Sequence, residues 1–299
     1  MNAIQSFLDE AGYLLTDGAM GTMLFASGLG HGGAPELWNV EQPDRVAAVH
    51  SAYLEAGSQI ILTNTFGGSR YRLQLHNMES RVAELNRAAV KLLREAVAAS
   101  GKKALVAGDI GPSGGLIQPL GELTYEEVVD GFAEQAAALI EGGVDILWIE
   151  TMAALDEVKA AVEAVRRVSA DIPVVTTMTF DTHGRTMMGV TPEKAANTLL
   201  SYGAAAVGGN CGNGPEEIIA VIQKMHAIAP QAILVAKANA GIPELVAGQP
   251  VYRASPEAMA EYARLAYDAG ARIIGACCGS TAAHIQAIAD ALEGKRTGR

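Results

Sequence analysis

The chain is 299 residues long, 49% hydrophobic and 18% charged, with 33 glycines and a formal net charge of -11 at neutral pH. That apolar content excludes a disordered chain, and the acidic balance excludes a nucleic-acid or anionic-membrane surface, which needs clustered Lys and Arg. The start, MNAIQSFLDEAG, has no cationic stretch ahead of a long apolar one, and no apolar run reaches about 18 residues, so a soluble cytoplasmic protein is expected.

In chain order, apolar runs of strand length fall at YLLTD (13–17), IILTNTF (60–66), ALVAGDI (104–110) and DILWIET (145–151). Four more follow: PVVTTMTF (173–180), AAAVGGNC (204–211), AILVAKAN (232–239) and ARIIGACC (271–278). Nearly continuous apolar character, rather than strict alternation, marks strands buried on both faces of a parallel sheet. The segments between them read as helices, among them RVAELNRAAVKLLREAVAAS, TYEEVVDGFAEQAAALIEGG and SPEAMAEYARLAYDAG. Several open on Ser or Thr followed by Pro or Glu and several close on Gly, the signals of capped helices. Eight strands alternating with helices over about 280 residues predict an α/β fold, a single (β/α)8 TIM barrel spanning residues 1–299, with 294–299 a frayed tail. GLGHGG (28–33) neither follows a strand directly nor opens a helix and reads as a flexible loop.

In such a barrel the active site lies at the carboxyl ends of the strands. Those ends carry Asp17, Asn64, Asp109, Glu150, Thr179 with Asp181, Asn210 with Cys211, Asn239, and Cys277 with Cys278. Asp and Asn commonly end strands for local turn or cap hydrogen bonds, which is the plainer reading of Asn64, Asp109 and Asp181. Glu150 has no such turn preference, and after ILWI at a buried rim its carboxylate points to function.

The chain uses only three cysteines, and the barrel brings all of them to one mouth although 66 residues separate Cys211 from Cys277. Three thiolates with an open fourth position describe a catalytic zinc site. Adjacent ligands on one ion require the strand to turn, which Gly275 and Gly279 permit, and GGNCGNG surrounds Cys211 with glycines. Burial of each thiol as a small hydrophobe would have to be invoked three times, and a disulfide is disfavoured in a reducing compartment and leaves one thiol over. The histidines, His31, His50, His76, His183, His226 and His284, follow no strand-end rule and read as solvated or helix-surface residues.

LLTDGAMGTML, ILTNTFGG, GDIGPSGG, GGNCGNGP, NAGIPEL and IIGACCGST together resemble the zinc-dependent homocysteine S-methyltransferase family, nearly end to end. That family includes betaine-homocysteine methyltransferase and the homocysteine-binding barrel of cobalamin-dependent methionine synthase. The resemblance implies a barrel, a zinc ion on Cys211, Cys277 and Cys278, homocysteine sulfur in the fourth position and methionine as product. It also implies that the turn of Asp17, Gly18 and Ala19, with Glu150, holds the ends of the amino acid, Glu150 taking the ammonium. Asn239 matches a position that fills the open site before substrate arrives. For the methyl donor, Trp38 in APELWNVEQP resembles the betaine branch, in which a Trp near this place contributes to an aromatic site for a quaternary ammonium, and Phe66 and Tyr71 are the nearest further aromatic candidates from the loops after the first two strands. Gly67 and Thr151 resemble instead the methionine synthase barrel, whose donor is a corrinoid that a separate protein would have to carry here. A non-catalytic zinc or thiol binder, and a methyltransferase for a different thiol or selenol, are the alternative readings.

Overall fold

The computed structural model describes residues 3–30, 32–246 and 249–297; His31 lies outside them. Ten strands occur among the described residues: β1 (Leu14–Leu15), β2 (Ile60–Leu62), β3 (Leu105–Ile110), β4 (Ile146–Met152), β5 (Val174–Met178), β6 (Ala206–Cys211), β7 (Leu234–Ala238), β8 (Glu244–Val246), β9 (Gln249–Val251) and β10 (Ala271–Ala276). Eight form one parallel sheet in the order β1-β10-β7-β6-β5-β4-β3-β2, while β8 and β9 make a separate antiparallel hairpin. A parallel bridge between Thr16 and Ile60 joins the two ends of the sheet, so it closes as the expected barrel. Every predicted strand is present: β1, β2, β5, β7 and β10 stop one to four residues short of the expected carboxyl end, β3 and β6 reach it, and β4 runs one residue beyond.

Among the described residues twelve α-helices accompany the strands: α1 (Ala3–Ala11), α2 (Met20–Ala26), α3 (Trp38–Glu41), α4 (Pro43–Glu55), α5 (Arg70–Gln74), α6 (Val82–Ser100), α7 (Tyr125–Gly142), α8 (Leu155–Val168), α9 (Pro192–Ser201), α10 (Pro215–Ile228), α11 (Pro256–Asp268) and α12 (Ala282–Thr297). Local chemistry sets their ends. Thr124 and Glu127 form a reciprocal capping box on α7, Thr191 and Ser255 cap α9 and α11 ahead of a proline, and Gly101 and Gly143 end α6 and α7 in left-handed conformation. Residues 294–297 of the expected tail continue α12, which Lys295 ties to Asp268 at 2.6 Å. No helix among the described residues is long and apolar enough to cross a membrane.

Strand alternation divides the core in two. Leu15, Ile61, Val106, Leu147, Ile149, Leu234 and Ile274 face outward into the layer shared with the helices. Leu14, Ile60, Leu105, Ala107, Ile146, Trp148, Val175, Val235 and Ile273 fill the barrel interior, which Ile4 and Leu8 of α1 close from below. Two residues further along their strands the inward series exchanges apolar side chains for Thr16, Asp109, Glu150, Thr177 and Lys237, and four residues beyond Ala206 and Ile273 it reaches Asn210 and Cys277. The polar mouth therefore rests on a dry plug whose largest member is Trp148.

One histidine departs from the expected surface role. His50 is wholly buried on α4 with neither ring nitrogen bonded, and burial holds its pKa down at about 4, so it stays neutral. His226 packs its ring against Gly270, whereas His284 spends both nitrogens on Thr281 and Ala254.

Candidate metal centre and amino-acid pocket

Cys211, Cys277 and Cys278 place their sulfurs within 4.8 Å of one another at the carboxyl ends of β6 and β10. Cys277 and Cys278 lie just beyond β10. The Cys277 amide still donates to Ala238 at 2.7 Å, and the Cys278 carbonyl accepts from Ala240 at 2.9 Å, so β7 pins the turn that presents both thiols. Gly279 makes that turn, with φ +80 and the Tyr252 ring against its Cα. Gly275 acts differently from expectation: it does not bend the strand but lets β1 approach, because a Cβ there would meet Thr16 Oγ1 at 1.9 Å.

Cys211 itself adopts the left-handed conformation, φ 58, as does Thr151 at φ 63. Both are held by Asn210, a buried residue. Its Oδ1 accepts from the Thr151 amide at 2.9 Å and from Thr177 at 2.7 Å, and its Nδ2 donates to Thr151 Oγ1 at 2.7 Å and to Cys211 Sγ at 3.4 Å. Such strain persists only where surrounding bonds over-determine it.

Three sulfurs this close repel as thiolates, and a cation is what allows all three to ionise. Among themselves they divide unequally: hydrogen bonds from Cys211 and Cys277 hold Cys278 down at about 3, while sharing its proton with Cys277 and Cys278 pushes Cys211 well above the ordinary thiol range. The donor set fits a thiophilic divalent ion, since no carboxylate or imidazole belongs to the cluster. Asn239 adds a carbonyl. Its Nδ2 donates to Gly212 at 2.7 Å, and its Oδ1 is buried without a partner.

Beneath the sulfurs lies a charged floor. Asp17 and Glu150 are buried, and Lys237 Nζ stands 3.5 Å from Asp17 Oδ1 and 3.5 Å from Glu150 Oε2. The Leu62 amide donates to Asp17 Oδ2 at 2.8 Å. Burial pushes Asp17 up to about 6 against the pull of Lys237, and raises Glu150 likewise. Burial alone would lower Lys237, but Glu150 and Asp17 keep its ammonium charged. Asp109 is no turn residue: it is buried, its Oδ1 has no partner, and burial with the nearby Glu150 charge raises it strongly. Gly18 and Ala19 pack on the cysteine turn. A Cβ on Gly18 would meet Ser280 Oγ at 2.5 Å, the Ala19 amide donates to that hydroxyl at 3.0 Å, and Ser280 donates on to the Cys277 carbonyl at 2.7 Å.

The three expected donor-site aromatics do not form one cage. The Arg45 guanidinium covers the Trp38 ring at 5.2 Å, and the Tyr71 hydroxyl bonds the Glu127 carbonyl with its ring against Gly131. Phe66 is 37% exposed at the rim beside Gly111. Gly67 is required by Glu36, whose buried carboxylate accepts from its amide at 2.7 Å and fills the space of a larger side chain. Asp181 accepts from Thr182 and serves local structure as expected, whereas Asn64 is buried and ties its strand end to the sequence-distant Pro35 carbonyl and Asn39 rather than to a local turn.

The strand-end pattern marks Asn210 but assigns it no role, and it does not single out Lys237 or Ser280. A lone lysine two positions before Asn239 in a buried strand faces the same side, and that alternation was the available signal.

Fold and site define the class: a (β/α)8 barrel enzyme with a thiol centre at its mouth. The chain belongs to the homocysteine S-methyltransferase family, whose model matches residues 14–292. It is 32% identical over 295 residues to methionine synthase of Mycobacterium tuberculosis, covering 93% of this chain and 24% of that one. Methionine synthase of Mycobacterium leprae is 31% identical with the same coverage. The chain thus spans about a quarter of the length of these curated relatives. The metallated form of the Escherichia coli homocysteine methyltransferase MmuM superposes with a TM-score of 0.80 at 26% identity, covering 96% of this chain and 99% of that one.

Proposed function

We propose that the protein transfers a methyl group to the thiolate of homocysteine, giving methionine, with zinc held by Cys211, Cys277 and Cys278. The observation that carries this reading is one mouth with two recognition elements. Sulfurs within 4.8 Å of one another meet the thiol end of a short amino acid, and the Asp17–Glu150 floor meets its ammonium. When bound, zinc favours a substrate thiolate over the thiol at neutral pH. The chain's residues supply the rest. Glu150 and Asp17 receive the ammonium, the Gly18–Ala19 turn borders the carboxylate, and Asn210 steadies Cys211. Held this way, the acceptor sulfur is aligned for in-line displacement: a sulfur–carbon bond forms and the donor–carbon bond breaks, its electron pair leaving with the donor.

For the donor we infer a methylcorrinoid presented by another protein module rather than a caged onium compound such as betaine. Arg45 occupies the face of Trp38 that a small cation would need, and Tyr71 is engaged on α7. Phe66, Leu116, Leu120, Met187, Ile242 and Leu245 are exposed on loops at the same end as the thiols, an apolar rim suited to a macromolecular face.

The test is to incubate zinc-loaded protein with homocysteine and, in turn, betaine, S-methylmethionine and a methylcorrinoid protein, and to quantify methionine. Methionine from the methylcorrinoid protein alone is expected. Turnover of betaine or S-methylmethionine would return the donor to the onium class. Binding of homocysteine with no turnover from any donor would leave a thiol-binding barrel without catalysis, and preference for another thiol or a selenol in competition would change the acceptor.

A further inference from the structure

Lys237 is a cation that neither the thiols nor the family motifs call for. It points inward near the carboxyl end of β7 with its side chain 3% exposed, and its ammonium stands over the Trp148 ring at 5.3 Å. Both of its carboxylate distances are 3.5 Å, longer than the roughly 2.7–2.9 Å of a committed charged hydrogen bond, so it divides itself between Asp17 and Glu150. Asp109 brings a third carboxyl to the same floor, with its buried Oδ1 unpartnered. Three acidic groups thus face one ammonium in a water-poor site, where an unmatched negative charge is costly and a second cation is welcome. A rigid plug of Ile146, Trp148 and Val235 lies beneath, so a second cation can enter only from the mouth.

We propose that Lys237 is a positioning residue for the α-ammonium of the acceptor: lodged between Asp17 and Glu150, it holds the two carboxylates apart and turned upward to receive that ammonium, with Asp109 as a third acceptor. The inference rests on the reading of the acceptor as an amino-acid thiol. It makes the floor a selector: a thiol carrying an α-ammonium brings a second cation to the carboxyls that Lys237 leaves unmatched, and the same thiol without it does not.

Calorimetric titration of the zinc-loaded protein with homocysteine and with 4-sulfanylbutanoate, which keeps the thiol and carboxylate but lacks the ammonium, tests this. Zinc content is measured on every variant. Wild type should prefer homocysteine. Lys237→Met should weaken homocysteine by about tenfold or more, the scale of one charged hydrogen bond, while leaving 4-sulfanylbutanoate and zinc unchanged. Asp109→Asn should weaken homocysteine alone, by less. Lys237→Met leaves buried carboxylates unpaired and can fail to fold; the charge-balanced double variant Lys237→Met/Glu150→Gln then carries the test, and it should bind homocysteine as weakly as Glu150→Gln alone. Equal losses for both thiols, no loss, or fully additive losses in the double variant would overturn the proposal. Wild type that binds no homocysteine would instead remove the acceptor reading itself, whereas a homocysteine preference unmoved by these variants removes only the role of Lys237.

Discussion

Cys277 is the buried member of the thiol cluster and the one nearest Cys211, 2.6 Å from its sulfur. Cys277→Ala leaves two sulfurs, and zinc affinity is expected to fall by more than the roughly 10- to 100-fold that loss of a mere supporting partner causes. Metal analysis after dialysis reads this directly, and undiminished zinc would remove Cys277 from the ligand set. Asp17 bears on stability as well as binding. Its pKa rises from 3.8 to about 6 on folding, so the native state binds that proton more tightly than the unfolded chain does. Stability is therefore lost as pH rises from about 4 through 6, leaving a cost on the order of 1–3 kcal/mol at neutral pH. Asp17→Asn should raise the denaturant midpoint at pH 7, with the gain shrinking as pH falls toward 4, while homocysteine binding weakens. A variant less stable than wild type at pH 7 would mean that the bond to the Leu62 amide and the attraction of Lys237 outweigh desolvation.

The eight barrel strands were legible because parallel strands covered on both sides are nearly continuously apolar, and they recur at intervals between capped helical segments. The convergence of Cys211 with Cys277 and Cys278 followed from topology once strand ends were identified. Helix α1 is not legible because AIQSFLDEA precedes the first strand and so lies outside the βα alternation, whereas α4 lies within it, between β1 and β2, but PDRVAAVHSAYLE follows a long connection rather than a strand directly. The hairpin of β8 and β9 has an exposed first strand and left no core signature. Trp38 shows the limit at the site: composition reveals a ring, but only packing reveals that Arg45 covers it. Gly275 shows another, since glycine beside cysteine suggested a bend where the fold uses a close approach. Gly275→Ala would drive a methyl into Thr16 Oγ1 and the Asp17 carbonyl, parting β1 from β10 and so the amino-acid turn from the thiols. A loss of about 1–3 kcal/mol is expected, the usual cost of overpacking. Gly30→Ala, with nothing within 4 Å of the new carbon, is the control and should leave the midpoint near that of wild type. Equal stability of the two variants would show that β1 moves away freely.

At the scale of the whole molecule, the two ends of the barrel are unlike. Below, α1 seals the interior; above, the mouth is ringed by loops after β2, β3, β5 and β7 that expose Phe66, Leu116, Leu120, Met187, Ile242 and Leu245. Val168, Ile228 and Leu265, also exposed, are scattered on α8, α10 and α11, where single apolar residues are ordinary. A rim of this kind beside a reactive centre suits a large donor that covers the mouth during transfer and excludes water from the sulfur. Leu245 is the most exposed of the rim residues at 81%, and Met187 follows at 71% on the loop after β5. Replacing both with Glu removes apolar area and adds charge to a molecule already at -11, without touching the thiols or the acidic floor. Leu245→Glu/Met187→Glu should therefore retain zinc, homocysteine affinity and stability, while the KM for a methylcorrinoid protein rises by about tenfold, the effect of losing a central contact worth 1–2 kcal/mol. Transfer from free methylcobalamin, which needs no protein face, should change far less. Equal loss with both donors would place the two residues in the chemistry rather than in docking. No loss with either would mean that the rim is not where the donor sits, and the exposed face of Phe66 would then be the place to look for a small onium compound.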